Sequence, residues 1–159
     1  MSAQNTASLL NRLAANLREE EAGQVALLGD LHAQREAIDS GRGDRLEAVT
    51  EMIQSSSSAA SRRAMQRSRI LKSLSQVWHV PADALTLRSI AERAGGNGRQ
   101  LLGLRDTLKE QAAQVQKECR QVMALARIHR GVVQEVLGAL LGEEDLQTGS
   151  PGALLDAEG

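Results

Sequence analysis

Aromatic residues are nearly absent from this chain of 159 residues, which has no Phe, no Tyr and a single Trp, Trp78. A compact core of this size usually fills its layers with several aromatic side chains, so Leu, Val, Ile and Ala must fill that space here. Such aliphatic residues interlock well in the seam between long helices. The chain has only two prolines and is rich in helix-forming Ala, Leu, Arg, Glu and Gln. The composition therefore predicts an elongated all-α protein.

Strong net charge, paired cysteines and long apolar runs are also lacking. The formal net charge of −1 gives no overall bias toward nucleic acid or membrane. The lone Cys119 cannot form an intramolecular disulfide, which fits a reducing compartment. Met1 to Leu10 lack the basic and apolar regions of a signal peptide, and no apolar stretch approaches the ~20 residues of a membrane span. We therefore expect a soluble, cytoplasmic protein with no membrane insertion.

Hydrophobic periodicity predicts four helices, at about 6–38, 44–80, 82–93 and 99–141. The breaks between them lie at glycine clusters near residues 41–43 and 95–98 and at Pro81. Short connections containing Gly favour antiparallel neighbours. We expect an antiparallel helical hairpin or a three-helix coiled-coil-like bundle over residues 1–142, followed by a flexible tail over residues 143–159.

Some details of the first two helices are less regular. Thr6 is the predicted N-cap of the first helix. Asp44 is the predicted N-cap of the second helix, and Glu47, three residues later, completes an arrangement like a capping box. Glu20 and Gln24 interrupt the first apolar stripe, so we expect its middle to be loosely packed or to face water.

A run of four serines, Ser55 to Ser58, lies within the second helix and permits either a break or a continuous helix. We favour the continuous helix, because the apolar phase is nearly the same on both sides of the run.

The last long helix has the clearest pattern in the chain. Two series of residues seven positions apart run along it. The first consists of Leu101, Leu108, Val115, Val122, His129 and Val136, and the second of Ala112, Cys119, Ala126, Val133 and Leu140. Alternating steps of three and four over about five repeats form a heptad seam. The pattern predicts packing against another long helix.

No arrangement of residues in the sequence indicates catalysis or a cofactor. The three histidines are far apart, and a metal site needs three or four converging ligands. His129 and Cys119 lie in the heptad seam, where structural roles are favoured. The glycines at 95–98 lack the Gly-Lys-Ser/Thr ending of a phosphate loop. We expect no enzyme, no metal and no cofactor.

A basic run without acidic residues is the one charged feature, and it contains Arg62, Arg63, Arg67, Arg69 and Lys72. Such a run is able to contact nucleic acid or an acidic partner, although no aromatic residue accompanies it for base stacking. We favour the interpretation as a solvated helix face and expect no nucleic-acid partner.

The order of these features resembles the FlgN family of flagellar export chaperones over nearly the whole chain. A leucine-rich helix with acidic residues in its middle is followed by a Gly/Asp turn, an Arg-rich stretch and a long helix. The segments that carry the similarity are Leu46–Ile53, Ile70–Leu74, Leu85–Leu87, Val136–Gly142 and Asp156–Gly159. The chain departs from the family in two places. Leu155 stands where a tyrosine is usual, and residues 126–130 lack paired asparagines.

The resemblance implies a chaperone that binds the C-terminal segments of hook–filament junction subunits of the FlgK and FlgL type. It would prevent their premature assembly and bring them to the export apparatus, with the export gate as a further expected partner. If the family tyrosine engages the gate, that contact must differ here.

On this basis we expect the last long helix and the tail to bind the client, because several apolar residues widen the stripe beyond two heptad positions. The predicted partner-binding residues are Leu125, Ile128, Val132, Leu137, Leu141, Leu154 and Leu155. The main alternative is a structural or adaptor coiled coil that self-associates through the same seam. Nucleic-acid binding through the basic run is a third reading.

Overall fold

A computed structural model describes the backbone of residues 2–141 and the side chains of residues 4–96 and 98–141. Four α-helices follow one another along the chain, and they are α1 (Ser2–Asp39), α2 (Gly43–Trp78), α3 (Leu87–Ala94) and α4 (Gly98–Leu141). Two 3-10 helices, Ala82–Ala84 and Gly95–Asn97, flank α3. Residues 2–141 contain no β-strand. The prediction of an all-α protein is confirmed.

The chain divides into two compact units, Met1–Val122 and Met123–Gly159. The first unit contains α1, α2, α3 and residues 98–122 of α4. The described part of the second unit is residues 123–141, the remainder of that helix. The predicted tail, 143–159, and its predicted boundary lie outside the described residues and stay predictions.

Polar contacts between α1 and α2 show how these two helices are paired. The Asn16 side-chain amide donates to the carbonyl oxygen of Arg63 at 3.1 Å, and Gln34 donates to the Thr50 hydroxyl at 3.3 Å. Asn16, nearer the start of α1, thus contacts a later residue of α2 than does Gln34, nearer the end of α1.

The main hydrophobic core of the first unit draws on all four α-helices. Leu13, Leu74 and Ile90 are fully buried, at 0% exposure, and burying a side chain of this size contributes about 1.5–3 kcal/mol. The buried cluster comprises Leu9, Leu10, Leu13, Ala14, Leu17, Ile70, Leu74, Leu85, Ile90, Ala91 and Leu101. Aliphatic side chains therefore fill a core that contains no aromatic residue among its buried members.

A polar layer interrupts the aliphatic packing in the middle of α1. Glu20 accepts a hydrogen bond from Arg63 Nε at 2.8 Å, and both side chains are less than a fifth exposed. Gly23 leaves room for the Arg63 guanidinium, which would collide with a Cβ atom at that position. Glu20 does not simply face water, because an α2 arginine neutralises its charge within the helix–helix interface. Glu20 and Gln24 also line cavities of about 290 Å³ and about 580 Å³, so the expectation of loose packing in the middle of the stripe is confirmed.

The helix predicted over residues 82–93 is divided in the structure. The 3-10 helix ends at Ala84, and α3 begins only at Leu87. The Ser89 N–H donates to Thr86 Oγ1 at 3.1 Å, while the Thr86 N–H donates to Ser89 Oγ at 3.0 Å. This reciprocal capping starts a new helix and satisfies amide groups that would otherwise lack partners. The prediction of one continuous short helix was wrong.

The two predicted N-caps are also placed differently. α1 begins at Ser2, so Thr6 lies inside the helix. The N-cap of α2 is Arg42, which forms no side-chain capping bond, and Asp44 lies within the first turn. Its carboxylate still favours the positive end of the helix dipole from there.

The serine run is helical, as expected. α2 continues through Ser55–Ser58 without a break. Ser56 donates to the Asp30 carboxylate of α1 at 3.3 Å, so one hydroxyl of the run joins the α1–α2 interface.

Candidate docking surface

Residues 123–141 of α4 carry an unusual concentration of exposed apolar side chains. Eleven large hydrophobic residues are exposed in the described part of the chain, and eight of them lie in this segment. We call these eight residues the apolar ridge: Met123, Ile128, Val132, Val133, Val136, Leu137, Leu140 and Leu141. Their exposure ranges from 49% for Leu137 to 76% for Leu140. Contiguous exposed apolar surface is a feature of many interaction sites, which makes the ridge the candidate docking surface.

Helical spacing arranges most of the ridge in two rows. One row has residues four apart and consists of Ile128, Val132, Val136 and Leu140, and the adjacent row consists of Val133, Leu137 and Leu141. Residues four apart lie one above the other on a helix surface. The other side of the segment carries Arg127, Gly131, Glu135 and Gly138. The segment is thus amphipathic, and its 19 residues span about 28 Å at the α-helical rise.

The polar side chains of this segment are unpaired. Within residues 123–141, no described side chain forms a hydrogen bond or an ion pair. Arg127, Arg130 and Glu135 are all exposed. Neither the apolar nor the charged groups of the segment are therefore held by a contact of their own, which leaves both available to a partner.

The earlier part of α4 uses the same spacing inside the first unit. Leu101 is 2% exposed and Val122 is 7% exposed. The Glu118 carboxylate lies 3.0 Å from Arg35 Nη1 and 3.3 Å from His32 Nε2 of α1. Burial of Leu101 and Val122 and the contacts of Glu118 therefore anchor both ends of residues 98–122 within the first unit.

The predicted partner-binding residues fall into three groups. Ile128, Val132, Leu137 and Leu141 are exposed members of the ridge, while Leu125 is half-buried. Leu154 and Leu155 lie outside the described residues. Exposure makes the first group accessible, and their role in binding stays a prediction.

Sequence reasoning missed four ridge residues, Met123, Val133, Val136 and Leu140. The last three were assigned to a seam with another long helix, and their exposure shows that the described residues supply no such cover. Heptad spacing indicates that a helix face packs, but it carries no signal for which chain provides the partner.

The two residues considered for chemistry occupy ordinary helix positions. Cys119 and His129 are both half-buried. In the described part of the chain, no three His, Cys, Asp or Glu side chains group as metal ligands would. None of the described helices is long and apolar enough to span a membrane.

The fold and the ridge define an all-α protein with an amphipathic helix face that none of the described residues covers. The FlgN protein family model matches residues 1–148, which is nearly the whole chain. The chain therefore belongs to the FlgN family, a family of chaperones of flagellar biogenesis, as the resemblance predicted. No curated protein and no solved structure matches the chain.

Proposed function

We propose that this protein is a cytoplasmic flagellar type III export chaperone that binds hook–filament junction subunits of the FlgK and FlgL type. It keeps them from assembling prematurely and delivers them to the export gate. Membership of the FlgN family supports the chaperone role. The apolar ridge on residues 123–141 is the observation that carries the proposal, because it provides a surface for a client.

The physical basis of binding is helix-on-helix packing. A junction subunit awaiting export exposes an amphipathic segment that would otherwise polymerise. The two rows of the ridge receive the apolar face of such a helix, as in other helix-in-groove complexes. Each apolar side chain removed from water contributes about 25 cal/mol per Å² of buried area. Binding needs no catalysis or nucleotide, since release occurs by handover at the gate.

The docking residues we propose are the predicted set together with the ridge. Leu125, Ile128, Val132, Leu137 and Leu141 contact the client, and the remaining ridge residues complete the two rows. Leu154 and Leu155 add contacts from the tail.

Residues 1–122 serve as the folded base in this proposal. We infer that α1 and α2 form an antiparallel hairpin and that the first part of α4 joins them in a three-helix bundle. The shared core and the Glu118 contacts with α1 support this arrangement.

A matched pair of double variants tests the ridge. Val132→Asp/Val136→Asp places two charges in one row, whereas Gly131→Asp/Gly138→Asp places the same charges on the other side of the segment, where an added Cβ meets no neighbouring atom within 4 Å. Calorimetric titration with the C-terminal segment of a junction subunit from the same bacterium measures the affinity. We expect the ridge variant to bind about 100-fold more weakly, which corresponds to about 2.7 kcal/mol, and the control to bind within about threefold of the wild type. Equal affinities for all three proteins would refute the docking surface, provided that circular dichroism shows equal helix content.

The contribution of the tail is tested separately by a chain that ends at Leu141. If Leu154 and Leu155 contact the client, this truncation weakens binding. Unchanged affinity would remove the tail from the site and leave the ridge proposal intact.

The alternative is a structural coiled coil that self-associates through the same ridge. Sedimentation distinguishes the two functions. A monomer that becomes a one-to-one complex with a junction subunit supports the chaperone, whereas a stable homodimer that ignores such subunits supports the scaffold.

A further inference from the structure

Charge is strongly segregated along α1 and α2. Residues 2–18 and residues 52–78 contain no Asp and no Glu. The basic residues in these two stretches are Arg12, Arg18, Arg62, Arg63, Arg67, Arg69 and Lys72. Antiparallel pairing brings the start of α1 opposite the end of α2, as the Asn16 contact with Arg63 shows. A chain with a net charge of −1 thus has a strongly basic region.

Three of these arginines line one cleft. Arg12 of α1 and Arg62 and Arg69 of α2 surround a volume of about 460 Å³, together with Met65 and Gln66. We call this feature the arginine cleft. Arg62 and Arg69 are seven residues apart, two turns along one helix face, so their backbones are separated by about 10.5 Å.

The arginines of the cleft are unpaired, unlike many others in the same unit. Arg35, Arg45, Arg63, Arg88 and Arg105 each lie within 4 Å of a carboxylate. In the part of the chain that the structure describes, no carboxylate pairs with the three arginines of the cleft, and no hydrogen-bond acceptor contacts their guanidinium groups. Three exposed like charges around one cleft repel one another, and an anionic ligand relieves that repulsion.

We propose that the arginine cleft binds an acidic peptide segment of a partner protein, as a second interaction surface that does not depend on the apolar ridge. A guanidinium group recognises a carboxylate through two parallel hydrogen bonds. A peptide in the polyproline II conformation repeats every three residues and advances about 9.3 Å per turn. Acidic residues three apart then lie on one face and match the spacing of Arg62 and Arg69.

The remaining side chains of the cleft suit a peptide. Met65 is 57% exposed and offers an adaptable apolar contact to a side chain between the acidic residues. The Gln66 side-chain oxygen accepts from Asn16 at 3.5 Å, which leaves its amide N–H groups to donate to a peptide carbonyl.

A nucleic acid would supply phosphates to the same arginines but would gain little further binding free energy from the cleft. Single-stranded nucleic acids gain about 1–3 kcal/mol per base from stacking on aromatic side chains. The cleft contains no aromatic residue, and the ring of Trp78 lies 5.8 Å from the Arg93 guanidinium. The lining therefore favours a peptide.

Fluorescence anisotropy with the full chain tests this proposal with three labelled probes. The first is a peptide of about 12 residues with Glu at every third position and Leu between them. The second has Gln in place of each Glu, and the third is an oligothymidine of similar length. The cleft variant is Arg62→Gln/Arg69→Gln. Its control is Arg99→Gln/Arg120→Gln, which removes two exposed, unpaired arginines of α4 and changes the net charge equally.

We expect the acidic peptide to bind the wild type and the control equally and the cleft variant at least tenfold more weakly. The Gln peptide should not bind. The proposal is overturned if the acidic peptide does not bind or if both variants lose affinity equally. Tighter binding of the oligothymidine than of the acidic peptide overturns it as well. All four substituted arginines are exposed, so circular dichroism should show unchanged helix content. Loss of client binding in the ridge variants leaves this result unaffected.

Discussion

The two parts of α4 carry one pattern of apolar residues and use it differently. In residues 98–122, the heptad positions Leu101 and Val122 are buried. In residues 123–141, Val136 of the same series is 51% exposed, and Leu140 of the second series is 76% exposed. Seven-residue spacing defines a face that gains free energy by packing, whether the partner is the same chain or another. Exposure, rather than spacing, separates a core seam from a docking surface.

Polar contacts also distinguish the two parts of α4, because the first part forms them with α1 and the second does not. Glu118 is 14% exposed and contacts two basic side chains of α1. The described side chains of residues 123–141 form no such contact. Burial in the first part stabilises the fold, and in our proposal the exposed face of the second part binds the client. Equivalent substitutions should therefore have different consequences in the two parts.

Truncating a leucine in each part of α4 should give the largest difference in the free energy of unfolding. We expect Leu101→Ala to lower the free energy of unfolding by about 2–5 kcal/mol, because it leaves a cavity in the core. Leu140→Ala should change it by less than about 0.5 kcal/mol, since the side chain is already exposed. Urea denaturation followed by circular dichroism measures both. Similar losses would mean that residues 123–141 are packed as part of the folded core.

Replacing a glycine in each part should give effects of opposite sign. A Cβ atom at Gly98 would collide with the backbone carbonyl group of Ala91 in α3, whereas no atom lies within 4 Å of one at Gly138. We expect Gly98→Ala to destabilise the protein by about 1–3 kcal/mol through overpacking. Gly138→Ala should stabilise its helix by up to about 1 kcal/mol through higher helix propensity.

Thermal unfolding of these two glycine variants provides the measurement. A stabilised Gly98→Ala variant would show that α3 and α4 do not approach closely at this point. A destabilised Gly138→Ala variant would show that the glycine contacts a neighbour.

Neutralising a glutamate in each part of α4 should give the smallest difference in stability. We expect Glu118→Gln to cost about 1 kcal/mol, because its partners His32 and Arg35 are partly exposed and screened by water. The cost should fall as salt concentration rises. Glu135→Gln should have no measurable effect on stability. Denaturation at low and high salt tests both, and an equal, salt-independent cost would contradict the assigned role of Glu118.

The sequence predicts the helices well because periodicity and glycine breaks are local signals. The paired Glu20 and Arg63 were harder to foresee, since they are 43 residues apart and only the α1–α2 pairing joins them. The division of the helix near Thr86 was missed because serine, rather than the usual Glu or Gln, completes its capping box.

The sequence predicted the candidate site only in part, because residue spacing does not show which side chains are exposed. The extra apolar residues Ile128, Val132 and Leu137 fall outside the seam series and mark a wider stripe. Val133, Val136 and Leu140 fit the heptad of a self-packing helix equally well. Only their exposure assigns them to the ridge.

Amide hydrogen exchange along α4, with and without the C-terminal segment of a junction subunit, tests the central claim most directly. We predict that adding the client slows exchange in residues 123–141 and leaves residues 98–122 unchanged, because the exposed large apolar side chains of α4 lie in the former part. A client that binds without protecting residues 123–141, or that protects residues 98–122 instead, would contradict the account.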